Sequence, residues 1–187
     1  MKICAITQRV DQVPGRGEVR DSLDQRLADW VLRQGLLPFP VPNRIPTKPT
    51  LRAWLRRLQP ACLVLSGGND WGECPERDRT EFRLLEWARS RRIRVLGICR
   101  GMQVMARFAG STLKRIEKHC GTVHRLREGG VVNSYHRWAL KSCPPAYQVI
   151  HQTKDGCLEQ IQHNKLPWTG IMWHPERPGN FGVRISL

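Results

Sequence analysis

The chain has 187 residues, a hydrophobic fraction of 40% and a formal net charge of +15 at pH 7. This length suits one α/β domain over residues 1–187 with a core large enough to be stable alone, and the hydrophobic fraction argues against disorder. The basic residues are spread along the chain without a nucleic-acid motif, so we expect no specific nucleic-acid binding and a site for an anionic small molecule.

Apolar runs and helical periodicity alternate through the first half of the chain. They predict strands at 2–7, 62–66 and 94–98, and helices at 22–35, 51–58 and 75–91. The five prolines in 38–49 predict a loop. After Gly110 the pattern changes to short strands and turns. The βαβ alternation predicts a mainly parallel sheet, whose ligands bind at the carboxyl ends of the strands.

A glycine-flanked cysteine follows the strand predicted at 94–98. Gly97, Cys99 and Gly101 form G-x-C-x-G, and a helical pattern begins at once with Met102. This spacing is the cysteine counterpart of the nucleophile elbow, in which a strained strand-to-helix turn exposes the attacking side chain. A helix N-terminus also favours the thiolate, so Cys99 is the candidate nucleophile.

A histidine and a glutamate near the other end of the chain complete a candidate triad. His174 ends an apolar run, and Glu176 lies two residues further on. In an extended chain, residues at this spacing have side chains on the same face. Glu176 can therefore hold the His174 imidazole in one tautomer while the other ring nitrogen faces the Cys99 thiol.

Four segments together resemble the class I glutamine amidotransferases over residues 6–177. They are L-S-G-G-N-D at 65–70, G-I-C-R-G-M-Q at 97–103, V-N-S-Y-H at 132–136 and W-H-P-E at 173–176. The resemblance implies a three-layer, flavodoxin-like α/β fold with helices on both faces of the sheet. It also implies catalysis by the triad, through a γ-glutamyl thioester, with the backbone N–H groups of Gly68 and Arg100 as the oxyanion hole. The substrate contacts that it implies are Gln103, Ser134, Tyr135 and His136.

A narrower resemblance joins these segments with I-T-Q-R at 6–9, R-D at 77–78 and I-M-W-H-P-E-R at 171–177. The set is similar to the γ-glutamyl-CDP-amidate hydrolases, which release glutamate and cytidine diphosphoramidate during phosphoramidate modification of bacterial surface polysaccharide. The γ-glutamyl-γ-aminobutyrate hydrolases share most of the pattern. A glutaminase subunit that supplies ammonia to a separate synthase is a further alternative, and a non-catalytic binding protein is disfavoured by the complete triad.

Two arginines are candidates for an anionic leaving group, because a guanidinium suits phosphate oxygens. Arg100 departs from the small or apolar residue usual beside the nucleophile of synthase-tethered glutaminases, and Arg9 follows the first strand. His119, Cys120 and His124 have a weak likeness to metal-ligand spacing, but four convergent ligands are not evident in the sequence. We therefore expect no metal and no cofactor.

The seven cysteines are never spaced C-x-x-C, which predicts reduced thiols and a cytoplasmic protein. The apolar run at 3–6 is too short for a signal peptide, and no segment approaches a membrane span, so we expect no membrane partner. Either 38–49 or 119–130 could cover the site. The oligomeric state remains open.

Overall fold

A computed structural model describes residues 1–45 and 47–187. Four helices alternate with strands in the first half of the chain, and short strands follow. In chain order the elements are β1 Lys2–Thr7, β2 Arg9–Val13, β3 Glu18–Ser22, α1 Gln25–Arg33, β4 Leu36–Val41, α2 Lys48–Leu58, β5 Cys62–Leu65, α3 Pro75–Arg91, β6 Arg94–Ile98, α4 Arg100–Phe108, β7 Leu113–Arg115, β8 Cys120–Arg125, β9 Val131–Tyr135, β10 Trp138–Leu140, β11 Tyr147–Gln152, β12 Leu158–His163 and β13 Trp168–Ile171.

A seven-stranded sheet in the order β11-β12-β13-β6-β5-β1-β4 forms the centre of the protein. The pairs from β13 to β4 are parallel, while β11-β12 and β12-β13 are antiparallel. Three two-stranded sheets, β2-β3, β8-β9 and β7-β10, complete the strand pairing among the described residues. The predicted mainly parallel α/β fold is confirmed.

Two apolar clusters divide the core between the two faces of this sheet. Alternate residues of β5 separate in this way: Leu63 and Leu65 belong to one cluster, whereas Cys62 and Val64 belong to the other. The first cluster includes residues of α2, α3 and α4, and the second includes those of α1. Since side chains alternate across a strand, the helices cover both faces of the sheet, as expected for a three-layer fold.

Local sequence signals account for the best-predicted elements. The bounds of β1, α3 and β6 are those expected from the sequence. Helix α3 begins with a proline, has Glu76 and Asp78 in its first turn, and has Arg89 and Arg91 in its last turn. This polarity complements the helix dipole, and proline at the first position removes an amide that would lack a helical acceptor.

Two local predictions were wrong. Residues 36–41, partly in the predicted loop, form edge strand β4, which pairs with β1. Pro38 and Pro40 alternate along β4, so the missing N–H groups fall on the side without a partner strand. The rest of the loop prediction includes Pro46, which lies outside the described residues. The helix predicted at 22–35 begins only at Gln25, because Asp24 accepts a capping bond from the Arg26 amide and Ser22 belongs to β3.

No helix in the described part of the chain has the length and apolarity needed to cross a membrane.

Candidate functional site

Four neighbouring strands end at one edge of the central sheet and bring the candidate residues together. In spatial order β13, β6, β5 and β1 lead to His174, Cys99, Gly67 and Arg9. Because these strands are parallel, their carboxyl ends share the same edge. Residues separated by up to 165 positions in sequence therefore lie around one site.

Cys99 occupies a strained turn between β6 and α4. Its φ of 53° and ψ of −108° are unusual for a residue with a side chain. The Cys99 amide donates to the Ile171 carbonyl at 2.7 Å, which fixes the turn to the neighbouring strand. Gly101 permits a close crossing, since a Cβ there would lie 2.1 Å from the Leu65 carbonyl oxygen. The turn has the conformation of a nucleophile elbow.

The Cys99 thiol, the His174 imidazole and the Glu176 carboxylate form a buried chain of interacting groups. Glu176 Oε1 lies 2.7 Å from His174 Nδ1. Burial lowers the pKa of His174, but its contacts with Cys99 and Glu176 outweigh this effect and raise it to about 9. Burial raises the pKa of Cys99, but the hydrogen bond and charge of His174 bring it below its ordinary value. The arrangement favours a thiolate–imidazolium pair.

Asn133 fixes the segment that carries His174. Its Oδ1 accepts from the His174 amide at 2.8 Å, and its Nδ2 donates to the His174 and Pro178 carbonyls, each at 2.9 Å. Asn180 Nδ2 also donates to the His174 carbonyl at 2.9 Å. Sequence reasoning had placed Asn133 in a substrate-binding segment and missed this positioning role.

Arg77 holds the loop after β5 from behind. Its buried guanidinium donates to the Gly67 carbonyl at 3.1 Å and also to the carbonyls of Ser66 and Gly68. In a trans peptide the N–H points opposite to the C=O, so the Gly68 N–H is directed away from Arg77. Gly67 itself lies against the site, since a Cβ there would be 2.8 Å from His174 Cε1.

The Arg100 side chain is directed into a buried ionic network and away from any leaving group. Its guanidinium bonds to Asp78 and Glu81, and Glu81 also pairs with Arg77 at 3.1 Å. The residue is 2% exposed. The expectation that this side chain contacts an anionic substrate was therefore wrong, because two carboxylates from α3 compete for it. The Arg100 amide remains at the first turn of α4, beside Cys99.

A cavity of about 300 Å³ opens over Cys99. Arg9, Gly68, Gln103, Tyr135 and His136 line it, together with Arg100, Cys120, Arg137 and three residues of 69–73. Its lining includes Cys120 from 119–130 and no residue of 38–49. Arg9 is half-exposed and pairs with Asp11 at 2.7 Å.

The predicted substrate-contact residues differ in how they relate to this cavity. Gln103 donates to the Trp138 carbonyl at 3.0 Å, and the Tyr135 ring meets the His174 ring edge-on. Ser134 is fully buried and donates to the His119 carbonyl at 2.6 Å, so its hydroxyl lies behind the wall of the cavity. His136 is buried between the cavity and a cluster of titratable groups.

Residues 19–182 match the family model described as glutamine amidotransferase class-I. The chain belongs to this family. A γ-glutamyl-CDP-amidate hydrolase of Campylobacter jejuni is 32% identical to the chain across 62% of either sequence. The chain thus spans less than two thirds of that relative. A γ-glutamyl-γ-aminobutyrate hydrolase of Escherichia coli O157:H7 is 25% identical across 86% of this chain and 81% of that enzyme.

Solved structures of amidotransferases have the same fold. A putative GMP synthase glutaminase-type chain of Thermoplasma acidophilum superposes with a TM-score of 0.72 at 16% identity, covering 96% of this chain and 87% of that one. A glutamine amidotransferase of Thermotoga maritima superposes with a TM-score of 0.67 at 16% identity, covering 94% and 77%. These likenesses establish the fold.

Proposed function

We propose that this protein hydrolyses a γ-glutamyl amide with Cys99 as nucleophile, His174 as general acid and base, and Glu176 as the group that orients His174. The observation that carries the proposal is the strained Cys99 turn facing His174, whose Nδ1 lies 2.7 Å from Glu176. Membership of the class-I glutamine amidotransferase family supports the same chemistry.

The proposed reaction has two steps. The Cys99 thiolate attacks the γ-carbonyl carbon, and the C–N bond breaks as the His174 imidazolium protonates the departing nitrogen. The product of this step is a γ-glutamyl thioester. His174, now neutral, removes a proton from water, which attacks the thioester; glutamate leaves and the Cys99 thiolate returns.

The oxyanion formed in both steps needs donors that are already in place. We assign this role to the backbone N–H groups of Gly68 and Arg100. The contacts of Arg77 with the loop carbonyls and the ion pairs of Arg100 would keep both peptides from reorienting. Donors fixed in this way contribute roughly 10²–10³ each to the rate.

The preferred substrate in this proposal is γ-glutamyl-CDP-amidate, in phosphoramidate modification of a surface polysaccharide. The exposed Arg9 and Arg137 at the cavity supply positive charge for a diphosphate, and Gln103, Tyr135 and His136 would contact the glutamyl group. The similarity to the Campylobacter jejuni hydrolase supports this preference. Hydrolysis of γ-glutamyl-γ-aminobutyrate, supported by the Escherichia coli relative, is the second candidate.

A second group of Cys157, His119 and Glu159 also lies together and must be distinguished from the proposed triad. Burial and the nearby Glu159 raise the pKa of the Cys157 thiol, which disfavours the thiolate. Cys157 does not line the cavity over Cys99. We therefore assign the nucleophile to Cys99. All seven cysteines are free thiols, which suits the proposed reducing cytoplasm.

The test is glutamate release by the purified protein from glutamine, γ-glutamyl-γ-aminobutyrate and γ-glutamyl-CDP-amidate, with Cys99→Ala and Cys74→Ala compared. Cys74 is a matched control because it also precedes a helix but does not line the cavity. We expect Cys99→Ala to abolish hydrolysis, Cys74→Ala to retain it, and the nucleotide substrate to have the highest kcat/KM. Activity in Cys99→Ala would contradict the proposal, and turnover of glutamine only with an added synthase would favour the role of an ammonia-supplying glutaminase.

A further inference from the structure

Four side chains that are far apart in sequence converge behind the wall of the cavity. His119, His136, Cys157 and Glu159 are all buried, and one potential ligand atom from each lies within 4.8 Å of the others. They come from four places: the residue before β8, the residue after β9, the residue before β12, and β12 itself. The weak spacing noted in the sequence included His119 but paired it with Cys120, which is exposed.

Both imidazoles are held with one nitrogen directed away from the cluster. His119 Nε2 lies 3.0 Å from Asp155 Oδ2, and His136 Nδ1 lies 3.0 Å from the Trp138 carbonyl. Because a carbonyl can only accept, His136 donates from Nδ1, and its Nε2 carries a lone pair in the neutral ring. An imidazole with one N–H on a carboxylate or carbonyl and the other nitrogen free is the usual arrangement of a histidine metal ligand.

The atoms that face the centre of the cluster lack hydrogen-bond partners within the described residues. They are His119 Nδ1, His136 Nε2, Glu159 Oε1 and Glu159 Oε2. Glu159 is fully buried, and burial of a carboxylate without hydrogen bonds is costly. A bound cation would satisfy all of these groups at once.

The spacing and chemistry of the cluster select the cation. Glu159 Oε1 lies 3.6 Å from His136 Nε2 and 4.0 Å from His119 Nδ1. Ligands of a tetrahedral zinc ion, with bonds of about 2.0–2.3 Å, lie about 3.3–3.8 Å apart, so only a small inward movement is required. One thiolate and one carboxylate neutralise a divalent charge, which suits a buried position, and the mixed N, S and O set favours zinc over magnesium or calcium.

We propose that His119, His136, Cys157 and Glu159 form a structural zinc site. Four protein ligands close the coordination shell, so the ion takes no part in the hydrolytic steps. It ties the β8-β9 hairpin to the central sheet, because two ligands flank the hairpin and two belong to the start of β12. His136 also lines the cavity, so the ion would hold that wall in place.

The experiment measures metal binding and does not depend on turnover. The chain is stripped with a chelator, reloaded with Zn²⁺ or Co²⁺, and freed of excess metal; the bound metal is then measured by elemental analysis. We expect about one equivalent of zinc per chain, a rise in Tm on reloading, and the intense visible and thiolate-to-cobalt absorption bands of tetrahedral Co²⁺.

Matched variants locate the metal. Cys157→Ser and Glu159→Gln keep the side-chain size and should lose the stoichiometric zinc, and Cys157→Ser should also lose the thiolate-to-cobalt band. Cys120→Ser and His124→Ala serve as controls and should keep both; His124 stacks on His119 but lies outside the ligand set. Circular dichroism confirms that each variant is folded.

The proposal is overturned if the folded parent chain takes up no stoichiometric zinc, or if Cys157→Ser and Glu159→Gln bind it as well as the parent chain does. Loss of hydrolysis in Cys99→Ala with zinc retained would leave the zinc site intact, so its failure and that of the proposed function are distinguishable.

Discussion

Replacing Glu176 with glutamine removes the charge behind His174 and leaves the side-chain size unchanged. The pKa of His174 rises from an ordinary 6.5 to about 9, which favours the imidazolium by roughly 3 kcal/mol. Burial opposes this rise, and contacts with Cys99 and then Glu176 produce it. Since Glu176 supplies only part of the effect, we expect Glu176→Gln to lower the pKa of His174 by about one pH unit.

The pH profile of kcat/KM measures this change. The proposed mechanism requires the Cys99 thiolate and the His174 imidazolium, so activity rises with pH through the lowered pKa of Cys99 and falls above pH 9 as His174 deprotonates. In Glu176→Gln the alkaline limb should move to about pH 8, because the weaker imidazolium loses its proton earlier. Maximal kcat should fall by roughly 10²–10⁴, since the imidazole also loses its orienting partner.

The matched control is Glu18→Gln, which removes a carboxylate that pairs with Arg20 on the exposed β2-β3 hairpin. Its profile should coincide with that of the parent enzyme. An alkaline limb that stays near pH 9 in Glu176→Gln would refute the reasoning, because the charge of Glu176 would then have no influence on His174.

Three further substitutions test the supports of the site. Gly67→Ala places a Cβ 2.8 Å from His174 Cε1 and should lower kcat about 10²-fold with normal folding by circular dichroism; full activity would show that the loop can yield. Glu81→Gln leaves buried guanidinium groups without their shared carboxylate and should cost about 3–5 kcal/mol in urea unfolding, whereas Glu86→Gln, from the exposed pair with a lysine, should cost about 1 kcal/mol or less. Equal costs would contradict the buried network. Asn133→Ala should reduce kcat more than it raises KM, measured by steady-state kinetics, and a pure KM effect would mean that this residue contacts substrate instead.

Local signals explain which parts of the fold were predictable from sequence. Helix α3 carries a proline start, acids in the first turn and arginines in the last, and strands β1 and β6 are short apolar runs between polar residues. Strand β4 escaped prediction because Pro38 and Pro40 are tolerated only at a sheet edge. Its edge position depends on how the whole sheet assembles.

The candidate site was predictable where its residues follow predicted strands. Cys99 and His174 end neighbouring parallel strands, so their proximity follows from topology, and their catalytic roles remain predictions. The positioning role of Arg77 depends on loop carbonyls that no sequence pattern specifies. Arg100 was misassigned because its neighbour Cys99 suggested a ligand contact, whereas Asp78 and Glu81 from another helix bind it.

The cluster behind the cavity had even less signal in the sequence. Cys157 and Glu159 lie in a polar turn and strand 38 and 40 residues after His119, and nothing in their local pattern marks a ligand pair. Their convergence depends on the packing of the β8-β9 hairpin against β12. Sequence spacing alone favoured Cys120, which the fold places at the surface.

The most direct test of the central claim is labelling by a glutamine analogue that carries a γ-diazoketone in place of the carboxamide, followed by peptide mass spectrometry. The proposed mechanism predicts stoichiometric modification of Cys99 alone, prevented by excess γ-glutamyl substrate. Modification of Cys157, or failure to modify Cys99 in the folded protein, would contradict the assignment of the nucleophile.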